Sequence, residues 1–213
     1  DDKKRPWDVE VDIGAIATSG NTDSTSLQFK LDAKQNLEKW ENQYVFNSLF
    51  KEDEVEQDDA TTNKEKTAEK YFASAKFAYL LGVEKSYLFG FGSYTDDKFG
   101  AYRTYTTIAL GYGDWLYSSP TLNWFVEAGP GYFEGEKVIE SSDANIPDTI
   151  TDESGAMLRA ATALEWKITS NAEFKQLISV ESGADNTRTQ SETSLATSIN
   201  GSMKMKVGIA IAN

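Results

Sequence analysis

Neither cysteine nor histidine occurs in this chain of 213 residues. Without cysteine there is no disulfide and no thiolate metal site. Without histidine, Ser-His-Asp hydrolysis, Asp-His proteolysis and histidine-ligated zinc are closed, so an enzyme built on this chain would work with carboxylates, lysine or tyrosine. Long apolar runs are missing too, and the mean hydropathy is −0.50. That excludes a transmembrane helix but not a transmembrane barrel, whose strands hide their lipid-facing residues in alternation. Positive charge is scarce: 21 Lys and Arg against 34 Asp and Glu leave a net charge of −13. A surface of that sign does not suit a phosphate backbone, and no nucleic-acid partner is expected. The chain opens at Asp1-Asp2-Lys3-Lys4-Arg5-Pro6 with neither Met nor an apolar signal core, as expected of an exported protein in its mature form. Nothing resembles a linker, so residues 1–213 are expected to form a single domain.

What the chain does contain is alternation. Trp7, Val9, Val11, Ile13, Ala15 and Ala17 share one face while Asp8, Glu10 and Asp12 share the other, the period-two pattern of a strand. After the turn formers Ser19 to Asp23, Leu27, Phe29, Leu31 and Ala33 repeat it against Gln28, Lys30, Asp32 and Lys34, predicting a hairpin of long strands. Similar strands follow at Trp40–Lys51 and Lys70–Leu80, then from Tyr87, Tyr102, Leu122, Ala156, Phe174, Thr193 and Met203. In the strand from Tyr87, the residues Tyr87, Phe89, Phe91 and Ser93 are expected on the apolar face, with Gly90 and Gly92 opposite. Pro130 lacks an amide donor and is expected to mark a bulge or the end of regular pairing. Glu52–Glu69 and Glu134–Glu153 are predominantly polar and are expected to be long acidic loops.

Three regularities point the same way. Connections near Asn36, Gly82, Tyr117, Thr169 and Asn200 are short, while most of the intervening ones are long and polar, as in an up-and-down barrel with brief periplasmic turns and long external loops. All five tryptophans (Trp7, Trp40, Trp115, Trp124, Trp166) fall near the short-turn ends, and Phe50, Tyr71, Tyr102 and Tyr132 fall near the long-loop ends, which predicts two interfacial girdles. The face opposite the apolar one carries charges of both signs. The predicted fold is therefore all-β: an antiparallel up-and-down transmembrane β-barrel, monomeric, with its N-terminus and short turns periplasmic and its long acidic loops extracellular. About eleven strands are visible and bacterial single-chain barrels use an even number, so a twelfth strand is expected beyond Asn213. A soluble lipocalin-like ligand-binding barrel is the alternative, but it gives no reason for tryptophan to gather at one end.

The segments Thr18-Ser19-Gly20-Asn21-Thr22-Asp23, Trp40-Glu41-Asn42 and Asp97-Lys98-Phe99-Gly100 with Tyr102-Arg103, together with Trp7, resemble the family of salt-induced outer-membrane proteins of Gram-negative bacteria. The resemblance runs over nearly the whole chain. It implies an outer-membrane β-barrel linked to salt stress, and it brings no catalytic residues with it.

Two groups of candidate site residues remain. Asp53, Glu54, Glu56, Asp58 and Asp59 supply hard oxygen atoms for loosely bound Ca²⁺ or Mg²⁺, although their spacing matches no EF-hand loop. Solvated external loops are the plainer reading, and no catalytic residue or resident cofactor is expected. Arg103, Glu127, Arg159, Glu165, Lys175 and Glu181 are expected to face the lumen as a charge network, either filling a narrow barrel or forming the selectivity ring of a channel. The expected function is that of an envelope structural protein or narrow channel relevant to salt or osmotic conditions, not an enzyme. An outer-membrane hydrolase would have to use carboxylates alone. The partners implied are outer-membrane lipid, lipopolysaccharide and the barrel-assembly machinery.

Overall fold

Backbone pairing joins eleven strands into one antiparallel sheet whose spatial order is their sequence order. The strands are β1 (Trp7–Thr18), β2 (Ser24–Asn36), β3 (Trp40–Glu56), β4 (Thr62–Leu80), β5 (Ser86–Asp97), β6 (Tyr102–Ser118), β7 (Leu122–Ile139), β8 (Thr149–Lys167), β9 (Ala172–Gly183), β10 (Thr187–Asn200) and β11 (Met203–Ala212). The computed structural model describes residues 6–18, 23–56, 62–82, 85–139, 141, 148–184, 187–200 and 203–212, and among these every regular element is a strand. No helix among the described residues is long and apolar enough to cross a membrane. The all-β, up-and-down expectation holds.

The short connections are closed locally. Leu37 donates its amide to the Trp40 carbonyl at 2.8 Å, Ser119 to Leu122 at 2.8 Å, and Thr169 to Ala172 at 3.2 Å. Between β4 and β5, Leu81 donates to Ser86 at 3.0 Å, and Gly82 takes a φ of 73°, a left-handed conformation that glycine adopts without steric cost.

The chain packs as two compact units: residues 1–77, 91–108 and 133–154 form the first, and residues 78–90, 109–132 and 155–213 the second. In the first unit, β1 and β2 pair from Trp7↔Gln35 to Thr18↔Ser24, and β2 and β3 pair from Asn36↔Glu41 to Ser24↔Asp53. Its buried centre is aromatic. Tyr105 stacks on Phe133 with ring centroids 5.5 Å apart, and Tyr102 meets Tyr105 edge-on at 5.2 Å. The second unit pairs β8 with β9 and β9 with β10 in continuous register, and β10 with β11 with one shift between Ser198 and Asn200, and it buries Ala78, Tyr87, Phe89, Ala109, Met157 and Ala161.

Polarity is inverted relative to a water-soluble sheet. On β6, Ala109 is 4% exposed while its neighbour Leu110 is 69% exposed. On β8, Arg159 is 8% exposed beside Leu158 at 58%. Alternation therefore buries the polar side of these strands and leaves the apolar side uncovered.

Four expectations change. The first acidic stretch is not a loop throughout: β3 continues to Glu56 and β4 begins at Thr62, giving strands of 17 and 19 residues. Likewise β7 runs to Ile139 and β8 starts at Thr149. Where both faces of a strand are polar the hydropathy signal vanishes while the backbone ladder continues, so periodicity does not register it. Of the two outcomes expected at Pro130, a bulge or an end, the strand end is not met, since β7 runs through it. On β5 the faces are reversed: Tyr87 and Phe89 are buried, whereas Leu88 and Tyr94 are exposed. Both faces of β5 are apolar, and the larger rings turn inward because β6 offers Gly111 and Gly113, where added Cβ atoms would lie 2.7 Å from the Phe89 ring and 2.2 Å from the Tyr87 ring. Finally, Trp7, Trp40, Trp124 and Trp166 are exposed, but Trp115 is half-buried against Phe125 at 5.2 Å and belongs to no exposed aromatic row.

Among the described glycines, Gly129 leaves the least room for a side chain, since a Cβ there would stand 2.0 Å from the Leu110 carbonyl oxygen. Gly129→Ala is expected to lower stability by about 1–3 kcal/mol, the usual cost of overpacking, read as a lower urea midpoint for protein refolded in detergent micelles.

Candidate functional site

The buried polar face of the second unit gathers the chemistry-bearing side chains. Alternation on β8 buries Met157, Arg159 and Ala161, and alternation on β9 buries Ser179 and Glu181. The β8–β9 register sets Arg159 opposite Glu181. The Arg159 Nη1 donates to Glu181 Oε1 at 2.9 Å, with both side chains 9% exposed. On β7, Glu127 is also buried, and its Oε2 accepts a hydrogen bond from the Tyr87 hydroxyl at 2.9 Å. The Tyr87 ring can reach it because Gly113 presents no side chain beneath that ring. A carboxylate accepting from tyrosine and a carboxylate paired with arginine are both charge-assisted contacts, strong in a low-dielectric setting.

Of the six residues expected as a lumen charge network, three are buried in the second unit. Arg159 and Glu181 make a buried ion pair, and Glu127 accepts from Tyr87. Glu165 and Lys175 are cross-strand partners nearer the β8–β9 turn, where the Lys175 ammonium lies 3.9 Å from Glu173. Arg103 belongs to the first unit and is half-buried there. Sequence reading missed Tyr87, Phe89, Gly111 and Gly113. The signal that could have found them is the matching pair of i, i+2 patterns, two aromatics on one strand and two glycines on the next.

In the first unit, charged side chains cluster beyond the apolar alternation. Asp53 accepts from Lys51 at 2.8 Å and from Thr67 at 2.7 Å. The Lys51 ammonium, with help from Ser24 and Thr67, holds its carboxyl at a pKa of about 2. Glu69 accepts from Lys98, and from Lys66 at 3.2 Å, and these contacts lower its pKa. Lys70 pairs with Asp97 at 3.1 Å. Glu153 accepts the Tyr102 hydroxyl at 2.6 Å with Lys137 at 3.5 Å, and its pKa is lowered mainly by the tyrosine. Of the other candidate cation ligands, Glu54 sits in β3 with its amide bonded to the Asp23 carbonyl at 2.8 Å, the Glu56 side chain is not described, and Asp58 and Asp59 lie outside the described residues. Among the described residues no three acidic side chains come together as a metal site.

With this geometry in view, comparison with known proteins is direct. A family described as a protein of unknown function, DUF481, matches residues 11–213. The chain belongs to that family. It is also similar to the uncharacterized protein YdiY of Escherichia coli strain K12, at 29% identity over 204 residues that cover 96% of this chain and 73% of the relative. Membership of the DUF481 family thus accompanies an eleven-stranded, all-β, up-and-down sheet.

Two outcomes follow. Arg159→Gln leaves the Glu181 carboxylate buried without its cation and is expected to cost about 3–5 kcal/mol, whereas the double variant Arg159→Met, Glu181→Leu loses much less because no charge is stranded; urea titration of both variants measures the difference. Asp53, Glu69 and Glu153 have folded pKa values below their ordinary ones, so the stability they contribute is present above the unfolded values and is lost as pH falls. For Asp53 the loss is expected between pH 3.8 and about pH 2, and Asp53→Asn flattens the pH dependence of the urea midpoint within that window.

Proposed function

We propose that this protein is an integral β-barrel of the bacterial outer membrane with a filled interior, serving as a structural component of the envelope under salt or osmotic stress. The observation that carries the reading is the inverted sheet, which buries Arg159 and Glu181 while exposing Leu158, Leu110 and Ile108. In water that distribution is unfavourable on both faces; in a bilayer the exposed face meets lipid and the buried one lines a protein interior. Exposed Trp40, Trp124 and Trp166 near the short turns support an interfacial girdle on the periplasmic side. Tyr87, Phe89, Tyr105 and Phe133 bring bulky rings to the buried face, which supports a filled lumen. The salt association rests on the sequence resemblance. Insertion by the barrel-assembly machinery, contact with lipopolysaccharide and a monomeric state follow from the same reading. So does the absence of hydrolytic activity, with any Ca²⁺ or Mg²⁺ held only loosely by the acidic external segments.

A narrow channel is the second reading, favoured by one observation. On β1 to β3 the polar face carries opposed charges that are not buried: Asp8↔Lys34 and Asp12↔Lys30 are cross-strand partners, and Gln43 donates to both Asp32 oxygens at 2.9 and 3.0 Å.

Planar-bilayer recording separates the two. The filled barrel is expected to insert into vesicles, shift mobility on heating in detergent gels, and give no discrete conductance steps. Reproducible steps whose ion selectivity changes in Asp12→Lys would replace it with the channel, and a protein that stays in the aqueous phase would remove both. A strain lacking the protein is expected to grow normally at low salt and more slowly at high salt.

A further inference from the structure

At the start of the sheet, β1 pairs with β2 alone among the described residues. Residues 7–17 are exposed except for half-buried Asp12, whereas most of β2 is half-buried. One hydrogen bond and the register fix where the β1 backbone groups point. Asn36 donates to the Pro6 carbonyl at 2.8 Å, and pairing continues without a shift through Asp8↔Lys34, Glu10↔Asp32 and Asp12↔Lys30. Bonded and non-bonded residue pairs alternate along an antiparallel ladder, so the even-numbered residues turn their amides and carbonyls toward β2. Trp7, Val9, Val11, Ile13, Ala15 and Ala17 turn theirs outward.

That outward row is unfavourable in either medium. In water it is a template for another strand, the more so between exposed Val9, Val11 and Ile13. In hydrocarbon no water is present to bond it, and open sheet edges do not occur there. Lipid chains carry neither donor nor acceptor, so only another backbone satisfies the row.

Direction, charge and family membership identify that backbone. Strands alternate in direction along the sheet, so the one that continues it past β1 runs opposite to β1. A second copy inserted the same way has both its first and its eleventh strand running with β1 and does not meet that condition. On the polar face Asp8 and Asp12 stand opposite lysines, but Glu10 stands opposite Asp32, and like charges directly opposed are destabilising. A hydrogen-bond donor on the other side of Glu10 offsets this. The family match begins at residue 11, inside β1, and runs to residue 213. β1 therefore opens the shared region, and a strand that follows β11 and reverses it has the required direction. The matched relative has chain to supply one, since 73% of it is covered.

We propose that the β1 edge is the docking site for a strand of the same polypeptide that follows Asn213. It runs antiparallel to β1, sets apolar residues beside Val9, Val11 and Ile13, and faces Glu10 with a lysine, an arginine or an uncharged donor. The inference rests on the outer-membrane reading above and deepens it by naming what covers one edge of the sheet.

Amide hydrogen exchange in detergent micelles tests it, comparing the 213-residue chain with the polypeptide that carries the residues following Asn213. The amides of Asp8, Glu10, Asp12 and Gly14 bond β2 and are expected to be protected in both, which makes them an internal control. Those of Val9, Val11 and Ile13 are expected to exchange freely in the 213-residue chain and about a hundredfold more slowly in the longer one. Val11→Pro removes one outward donor without touching the β2 ladder; in the longer polypeptide it is expected to abolish the added protection at Val9 and Ile13 and to leave the even-numbered amides unchanged. Should that variant misfold, the even-numbered amides lose protection too, and the comparison of the two unsubstituted polypeptides decides. Equal exposure of the odd-numbered amides in both polypeptides, full protection already in the shorter one, a carboxylate facing Glu10, or a gene product ending at Asn213 overturns the site while leaving the membrane reading intact. Protection that rises with protein concentration, with Val11→Cys copies cross-linking to each other, overturns it in favour of a second copy. Failure of the longer polypeptide to insert into vesicles removes the membrane reading and this site together.

Discussion

Each strand here pairs with the strand next to it in sequence, and the resulting backbone ladder obliges side chains to alternate between two faces. Register is therefore the constraint on which the rest depends. Setting Arg159 opposite Glu181 also sends Leu158 and Ala160 to the other face. A slip of one residue would bury both and push a guanidinium onto an apolar surface, so the ion pair and the exposed leucine hold the same register from opposite sides. The β8–β9 turn, closed by the Thr169 to Ala172 backbone hydrogen bond and by the Thr169 hydroxyl, which accepts from the Asn171 and Ala172 amides, is consistent with that register.

Within the second unit the buried face is matched in size as well as charge. Tyr87 and Phe89 on β5 lie over Gly111 and Gly113 on β6, so two large rings occupy space that two absent side chains leave open. Tyr87 connects the two kinds of matching, since its ring fills volume while its hydroxyl meets the buried Glu127. Overpacking the glycines would move the ring and weaken its hydrogen bond to a carboxylate whose burial depends on hydrogen bonding. The aromatic centre of the first unit repeats the device at Gly135, where a Cβ would approach the Tyr102 and Tyr105 rings to 3.0 Å.

Beyond the apolar alternation the strands continue with charge on both faces. Lys51, Lys66, Lys70, Lys98 and Lys137 each meet a carboxylate there. Exposed pairs of this kind contribute little individually and weaken with salt. What they do accomplish is local neutralisation, which lets acidic strands such as the end of β3 pair closely despite the chain's net charge of −13.

Sequence alone determined the class of fold and the polarity of most faces, because alternation over long strands is a local property: Leu110 against Ala109 and Leu158 against Arg159 are legible without a partner strand. It also determined that Arg159, Glu127 and Glu181 belong to the polar side. Tertiary structure decided which of them meet. Glu127 bonds a tyrosine 40 residues away, a choice set by the β5–β7 arrangement and by the space above Gly113, neither of which is encoded in the residues beside Glu127. It decided the orientation of β5, where two apolar faces gave alternation nothing to distinguish and the neighbouring strand's glycines settled the matter. It decided the lengths of β3, β4, β7 and β8 as well, because a backbone ladder extends wherever the adjacent strand extends, whatever the side chains say about water.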